Sequence, residues 1–189
     1  TQSRSSAASD VYKRQVQGEG SVADYTAQEL MELDAGAWYG VDFIGEPVPS
    51  FEQVAHFCIH HNIWMNIEIK PVPGFEDQTG WVVAQAVKRL FEHTLDRTPG
   101  ALPLLSSFSF EALQAAQLAA PDIPRAFLMD EVTPDWHERL LALGAISLNT
   151  NHKHLTPLLA RAVKEAGFGL FCYTCLLYTS PSPRDKRQS

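Results

Sequence analysis

The chain has 189 residues, which is enough for one domain with a substantial core and too few for two of ordinary size. Its 22 acidic and 15 basic residues give a formal net charge of -7, which argues against a nucleic-acid partner because such a partner needs a basic face. No apolar run approaches the roughly 20 residues of a membrane-spanning helix. Cys58, Cys172 and Cys175 do not form a zinc-type set of motifs, which indicates a reducing compartment.

The middle of the chain alternates short apolar runs with longer amphipathic ones, which indicates parallel βα units. Ser50 is a predicted N-cap, and Gly144 and Gly167 are predicted to follow helix ends. We predict helices over residues 51–62, 79–92, 110–118, 135–143 and 156–166, and strands over residues 64–70, 101–108, 125–129, 145–149 and 170–173.

The strand over residues 64–70 carries an acid and a base on one face. Residues i, i+2 and i+4 of a strand share a face, so Asn66, Glu68 and Lys70 point together. Pro71 ends the strand because it cannot donate to the ladder. A carboxylate and an ammonium so placed can hold a metal and a phosphate side by side, although a structural ion pair fits the pattern as well.

Both a doubly wound open sheet and a (β/α)₈ barrel fit five βα units. Polar residues at the carboxyl ends of several strands favour the barrel, since that face holds the active site in such folds. These residues are Glu68, Lys70, Ser106, Ser107, Asp130, Glu131 and Asn149. No glycine-rich dinucleotide loop is present. Five units are too few to close an eight-stranded barrel, so we expect an incomplete one.

The two ends of the chain differ in composition from the middle. Residues 1–15 and 175–189 are rich in serine and net basic, whereas the middle is strongly acidic. Both segments resemble translated sequencing-adapter read-through, a contaminant of metagenomic gene sequences. We therefore expect two non-native tails, over residues 1–15 and 175–189, flanking one partial barrel domain over residues 16–174.

Five segments in order resemble the glycerophosphodiester phosphodiesterase family, especially its bacterial cytosolic type. They are residues 33–39 (LDAGAWY), 43–49 (FIGEPVP), 66–71 (NIEIKP), 104–108 (LLSSF) and 171–174 (FCYT). The resemblance implies a TIM-type barrel fold and a cytoplasmic location for the protein. It implies hydrolysis of a small-molecule glycerophosphodiester to sn-glycerol 3-phosphate and an alcohol, with a divalent cation (Mg²⁺ or Ca²⁺).

The resemblance also implies roles for four residues of this chain. Glu68 is implied to be a metal ligand, and Lys70, Ser107 and Tyr173 are implied to contact the substrate. A strand-end hydroxyl that bonds local backbone remains an alternative for the serine, and a core aromatic for the tyrosine. No histidine stands in a sequence context typical of the family, so no catalytic residue is assigned.

In relatives, a His-Arg strand end and a Glu-x-Asp metal pair precede the segments matched here, and a Thr-Asp strand end follows them. We therefore expect this chain to lack the first two strands and the last one, and to be inactive by itself. Two alternatives stay open: another metal-dependent barrel enzyme, such as an isomerase or aldolase, and a non-catalytic scaffold or binding protein. The sequence leaves the oligomeric state and the alcohol group open.

Overall fold

The computed structural model describes residues 22–92 and 102–173. They fall into two compact units, which divide between Ile63 and Trp64. The predicted tails, and the predicted domain boundaries at residues 15/16 and 174/175, lie outside the described residues. Within the described ranges, no helix is both long and apolar enough to cross a membrane.

The first unit, up to Ile63, consists of short helices with well-formed caps. Its α-helices are α1 (Ala27–Met31) and α2 (Phe51–His60), and Val22–Asp24 and Val41–Phe43 are single 3₁₀ turns. Ser50 caps α2 as predicted, since its side chain accepts from the Gln53 N–H while the Gln53 side chain bonds the Ser50 backbone in return.

A single carboxylate fixes the loop between α1 and α2. Asp34 Oδ1 accepts from the Gly36 and Ala37 N–H groups, and Oδ2 accepts from the Gly45 N–H, each at 2.8 Å. The bonds from Gly45, Ala37 and Gly36 lower the pKa of Asp34, because they stabilise the charged carboxylate. The family-like segments over residues 33–39 and 43–49 are therefore joined through one side chain.

The second unit is a five-stranded parallel sheet with helices between successive strands. Its strands are β1 (Asn66–Glu68), β2 (Leu104–Ser107), β3 (Arg125–Met129), β4 (Ser147–Asn151) and β5 (Gly169–Tyr173). Its helices are α3 (Glu76–Leu90), α4 (Phe110–Ala119), α5 (Trp136–Ala142) and α6 (Pro157–Glu165).

The strands lie in the order β1-β2-β3-β4-β5, which is also their order in the chain. A doubly wound sheet reverses its strand order at a switch point, whereas a barrel wall is wound in one direction. The observed order therefore decides between the two predicted architectures in favour of an incomplete TIM-type barrel.

The core of this unit lies between the sheet and its helices. Phe127 of β3 and Leu148 of β4 are paired in register and face the helices together. The buried cluster around them consists of Leu113, Phe127, Met129, Leu140, Leu143, Ala145, Leu148 and Val163. On the same side, α3 and α4 lie close together, since a Cβ on Gly80 would meet the backbone of Ala112.

The opposite face of the sheet is concave. Phe108 follows β2 and Tyr173 ends β5, so three strand spacings of about 4.8 Å each would separate them by about 14 Å in a flat sheet. Their ring centroids are 5.6 Å apart, edge to face. Side chains on one face of a flat sheet stand parallel and do not meet across that gap. The sheet therefore curves as a barrel wall does.

Candidate functional site

The site begins with Glu68 and Lys70 on β1 and just beyond it. Burial alternates along this segment: Asn66, Glu68 and Lys70 are exposed, while Ile69 is buried. The predicted shared face is thus confirmed. Glu68 Oε1 lies 3.4 Å from Lys70 Nζ, and the two side chains keep 34% and 52% exposure, so the pair is open to solvent.

Register places further polar side chains on the face that carries Glu68. Glu68 is paired with Ser106, and Ser106 in turn with Ala126. Further along the sheet, Asn151 of β4 is paired with Tyr173 of β5, on the same face. The concave face therefore carries Glu68, Ser106, Asn149, Asn151 and Tyr173, together with the ring of Phe108.

The side chains of Ser106 and Ser107 point to opposite faces of the sheet, and their hydroxyl groups differ in hydrogen bonding. Ser107 faces the helices, where its Oγ donates to the Ile69 carbonyl at 2.6 Å and accepts from the Ser109 N–H at 3.1 Å. Ser106 is fully buried beside Glu68, and its Oγ has no hydrogen-bond partner among the described residues. The hydroxyl of Ser107 thus supports the β2–α4 turn, and its predicted substrate contact stays a prediction.

Tyr173 extends its hydroxyl across the concave face. Burial raises the pKa of Tyr173 well above its ordinary value, and the negative charges of Asp130 and Glu68 add to the rise. The Asp130 carboxylate is near enough to influence this hydroxyl, but no described group meets strict hydrogen-bond geometry with it. The phenol therefore stays a neutral O–H donor close to both carboxylates.

Asp130, which directly follows β3, links several groups at the carboxyl end of the sheet. Its Oδ1 accepts from Asn151 Nδ2 at 2.9 Å, and its Oδ2 lies 3.9 Å from His154 Nε2. Glu131 Oε1 lies 3.7 Å from the other ring nitrogen of His154. Sequence reasoning placed Asp130 and Glu131 at this edge, but it gave no signal for Asn151 or His154 as their partners.

The described residues do not form a complete metal centre by themselves. Among residues 22–92 and 102–173, no group of three or more His, Cys, Asp or Glu side chains is arranged to hold an ion. Hard divalent cations take about six oxygen ligands. Glu68 is therefore at most one ligand of a cation site, with the ammonium of Lys70 beside it.

The strands of this parallel sheet follow one another in chain order, and polar side chains lie on its concave face and at the carboxyl ends of its strands. This is the architecture of TIM-type barrel enzymes. Comparison with known families is more specific. Residues 9–187 match the model of the glycerophosphoryl diester phosphodiesterase family. The chain belongs to this family.

Relatives support the same assignment. The chain is 29% identical to Bacillus subtilis YhdW, named provisionally as a glycerophosphodiester phosphodiesterase, over 87% of this chain and 65% of that protein. It is also 29% identical to the glycerophosphodiester phosphodiesterase of Caldanaerobacter subterraneus, over 85% of this chain and 63% of that one. The chain thus spans somewhat less than two thirds of the length of these relatives.

A solved structure shares the fold of this chain. It is an Oleispira antarctica phosphodiesterase in complex with its product, sn-glycerol 3-phosphate. The TM-score is 0.75 at 25% identity, over 86% of this chain and 63% of that one.

Proposed function

We propose that the protein hydrolyses glycerophosphodiesters to sn-glycerol 3-phosphate and an alcohol, and that this chain supplies one part of its binding site. The observation that carries the proposal is the pairing of Glu68 and Lys70 on the concave face of a barrel wall that belongs to this family. The product in the Oleispira antarctica structure supports the choice of substrate. A cytoplasmic location, implied by the resemblance, is part of the same proposal.

Lys70 provides the positive charge for the substrate phosphate. Its ammonium lies at the carboxyl end of β1, where barrel enzymes bind their ligands. A lysine binds phosphate as a point charge with three donors. Without ligand, the Lys70 ammonium is paired with the Glu68 carboxylate at 3.4 Å. The ion pair separates when a phosphate binds to the ammonium.

A divalent cation, Mg²⁺ or Ca²⁺, belongs to the proposal for the whole protein. When bound, such an ion would stabilise the charge that develops on the phosphate. Glu68 supplies one carboxylate ligand, but the described residues do not offer a full ligand set. We therefore derive no catalytic step through the cation.

Proton transfer is not accounted for by the residues that the structure describes. General acid–base catalysis needs a titrating group within hydrogen-bond reach of the leaving oxygen. Within the described part of the chain, no histidine bonds to Glu68, and His154 is instead placed between Asp130 and Glu131. We propose that the chain by itself binds ligand without turning it over.

The test is an assay of the purified chain with sn-glycero-3-phosphocholine in the presence of Mg²⁺ or Ca²⁺. We expect no release of sn-glycerol 3-phosphate above the uncatalysed background, because no histidine among the described residues bonds to Glu68 as a proton-transfer partner. Release that depends on the cation would contradict the proposed inactivity of this chain. It would at the same time support the proposed reaction of the protein.

A further inference from the structure

Two histidines lie one turn apart on helix α2, in the first unit of the chain. His56 and His60 stand at positions i and i+4 of this helix, and both side chains are exposed. Side chains with this spacing are neighbours on the helix surface, with Cβ atoms roughly 5–6 Å apart. Each of the two imidazole rings can therefore direct one ring nitrogen to the same point beside the helix.

This arrangement is suited to a transition-metal ion. Two histidines four residues apart on one face of a helix are the zinc ligands of helical metalloprotease motifs. Imidazole nitrogen binds Zn²⁺, Cu²⁺ and Ni²⁺ well, whereas Mg²⁺ and Ca²⁺ prefer oxygen ligands. The pair on α2 therefore favours a different class of cation from the one proposed at Glu68.

The ring of His60 is supported by its neighbour in the chain. Its centroid lies 5.0 Å from that of His61, and the two rings are nearly perpendicular. His61 in turn packs on Phe57, with ring centroids 4.3 Å apart. These contacts restrict the His60 side chain, so less conformational freedom is lost when it binds an ion.

The charge of this part of the chain favours a cation. From residue 22 to residue 63 the sequence contains seven Asp and Glu residues and no Lys or Arg. Glu52 is exposed and precedes His56 by one turn of α2, on the same row of side chains. His60 is the last residue of α2, where the partial negative charge of the backbone carbonyls stabilises a cation.

We propose that His56 and His60 form a surface site for a divalent transition-metal ion, bound through one ring nitrogen of each. Water completes the coordination, because no set of three His, Cys, Asp or Glu side chains in the described part of the chain is arranged to hold an ion. The site uses neither Glu68 nor Lys70, so it does not depend on the proposed function. An ion that bridges two turns of α2 also stabilises the folded helix.

The test is a calorimetric titration of the full chain with Ni²⁺, in excess Mg²⁺ so that sites made of oxygen ligands are already occupied. Wild type is expected to bind Ni²⁺ in a saturable step. His56→Gln and His60→Gln are each expected to abolish that step, because a single imidazole does not chelate the ion. Cu²⁺ is expected to bind wild type more tightly than Ni²⁺, and Mn²⁺ more weakly.

His137 provides the matched control. It is an exposed histidine on helix α5, and the residues four positions before and after it are Thr133 and Leu141, so it has no second imidazole at this spacing. His137→Gln is expected to keep the Ni²⁺ step of wild type.

Urea unfolding, followed by far-ultraviolet circular dichroism, gives a second measurement. Saturating Ni²⁺ is expected to raise the urea midpoint of wild type and of His137→Gln, but not that of His56→Gln or His60→Gln, since only a chelated ion favours the folded helix. Without metal, the variants are expected to unfold close to the wild-type midpoint, because the substituted side chains are exposed.

Three results would overturn the inference. Equal Ni²⁺ binding by wild type, His56→Gln and His60→Gln would exclude the site. A step lost in one of these variants and kept in the other would show that the two histidines do not share an ion. Displacement of Ni²⁺ by Mg²⁺ would assign the ion to oxygen ligands. Each of these results would leave the proposed function intact, since that function is tested at Lys70.

Discussion

Glu68 and Lys70 form an ion pair that contributes little to the fold. Their side chains keep 34% and 52% exposure, and an exposed pair of this kind contributes only about 0–1 kcal/mol. Stability therefore does not explain why an acid and a base occur together at the end of β1. Their openness on the concave face fits a ligand site, which is the role that the family implies for both residues.

Tyr173 is expected to make the stability of the folded chain depend on alkaline pH. Burial, together with the charges of Asp130 and Glu68, raises its pKa, so the folded chain holds the phenol proton more tightly than the unfolded chain does. The stability that this provides is complete below about pH 10, the ordinary tyrosine pKa, and is lost as the pH rises above it.

The measurement is an alkaline titration of tyrosine absorbance, with urea unfolding at the same pH values. Wild type is expected to show a late-ionising phenol that is missing from Tyr173→Phe, and to lose stability above about pH 10 more steeply than Tyr173→Phe does. If the two proteins titrate with the same late component, the proposed environment of Tyr173 is wrong.

Arg125 acts between elements, at the start of β3. It is 5% exposed, and its guanidinium donates to the Leu143 and Ile123 carbonyls at 3.0 and 2.7 Å. It also reaches Gly144, which follows the end of α5. Burial lowers the pKa of Arg125, and the charge of Asp122 opposes this. The sequence alone gave no sign of this role.

Helices α3 and α4 are packed closely at Gly80. Ala in place of Gly inside a helix ordinarily adds about 0.5–1 kcal/mol of stability. Gly80→Ala is expected instead to cost about 1–3 kcal/mol, because the new Cβ would meet the backbone of Ala112 and push the helices apart.

Urea unfolding of Gly80→Ala checks this expectation, with Lys88→Ala as the control on the exposed side of the same helix. The control is expected to stay within about 0.5 kcal/mol of wild type. A Gly80→Ala protein as stable as wild type would mean that α3 and α4 are not in close contact at this point.

At the scale of the whole molecule, the order of the strands identifies the architecture. Apolar runs and turn residues predicted all five strands, and β3 matches residue for residue because Arg125 and Met129 bound a continuous apolar run. β1 covers only Asn66–Glu68 and is shorter than the predicted strand. The hydrogen bonding to β2 nevertheless extends one residue further, since the Ile69 N–H donates to the Ser106 carbonyl. Order and curvature were not readable from these local patterns.

The residues of the candidate site, like the strands, were only partly predictable from local sequence patterns. Alternation along one strand placed Glu68 and Lys70 correctly on a shared face, since that needs only the period of a strand. Which of Ser106 and Ser107 shares the face of Glu68 depends on the register between β1 and β2, which no local pattern encodes. The partners of Asp130 likewise depend on β4 and its following loop, which are distant in sequence.

The most direct test of the account is the binding of sn-glycerol 3-phosphate to the full chain with Lys70→Met, measured by titration calorimetry. Lys88→Met, on the exposed side of α3, removes the same charge at a distance from the site. We predict that Lys70→Met weakens binding by roughly 10–100-fold, as expected for lost hydrogen bonds to a charged group, and that Lys88→Met leaves it unchanged. Equal affinities for wild type and both variants would contradict the assignment of the concave face as the ligand site.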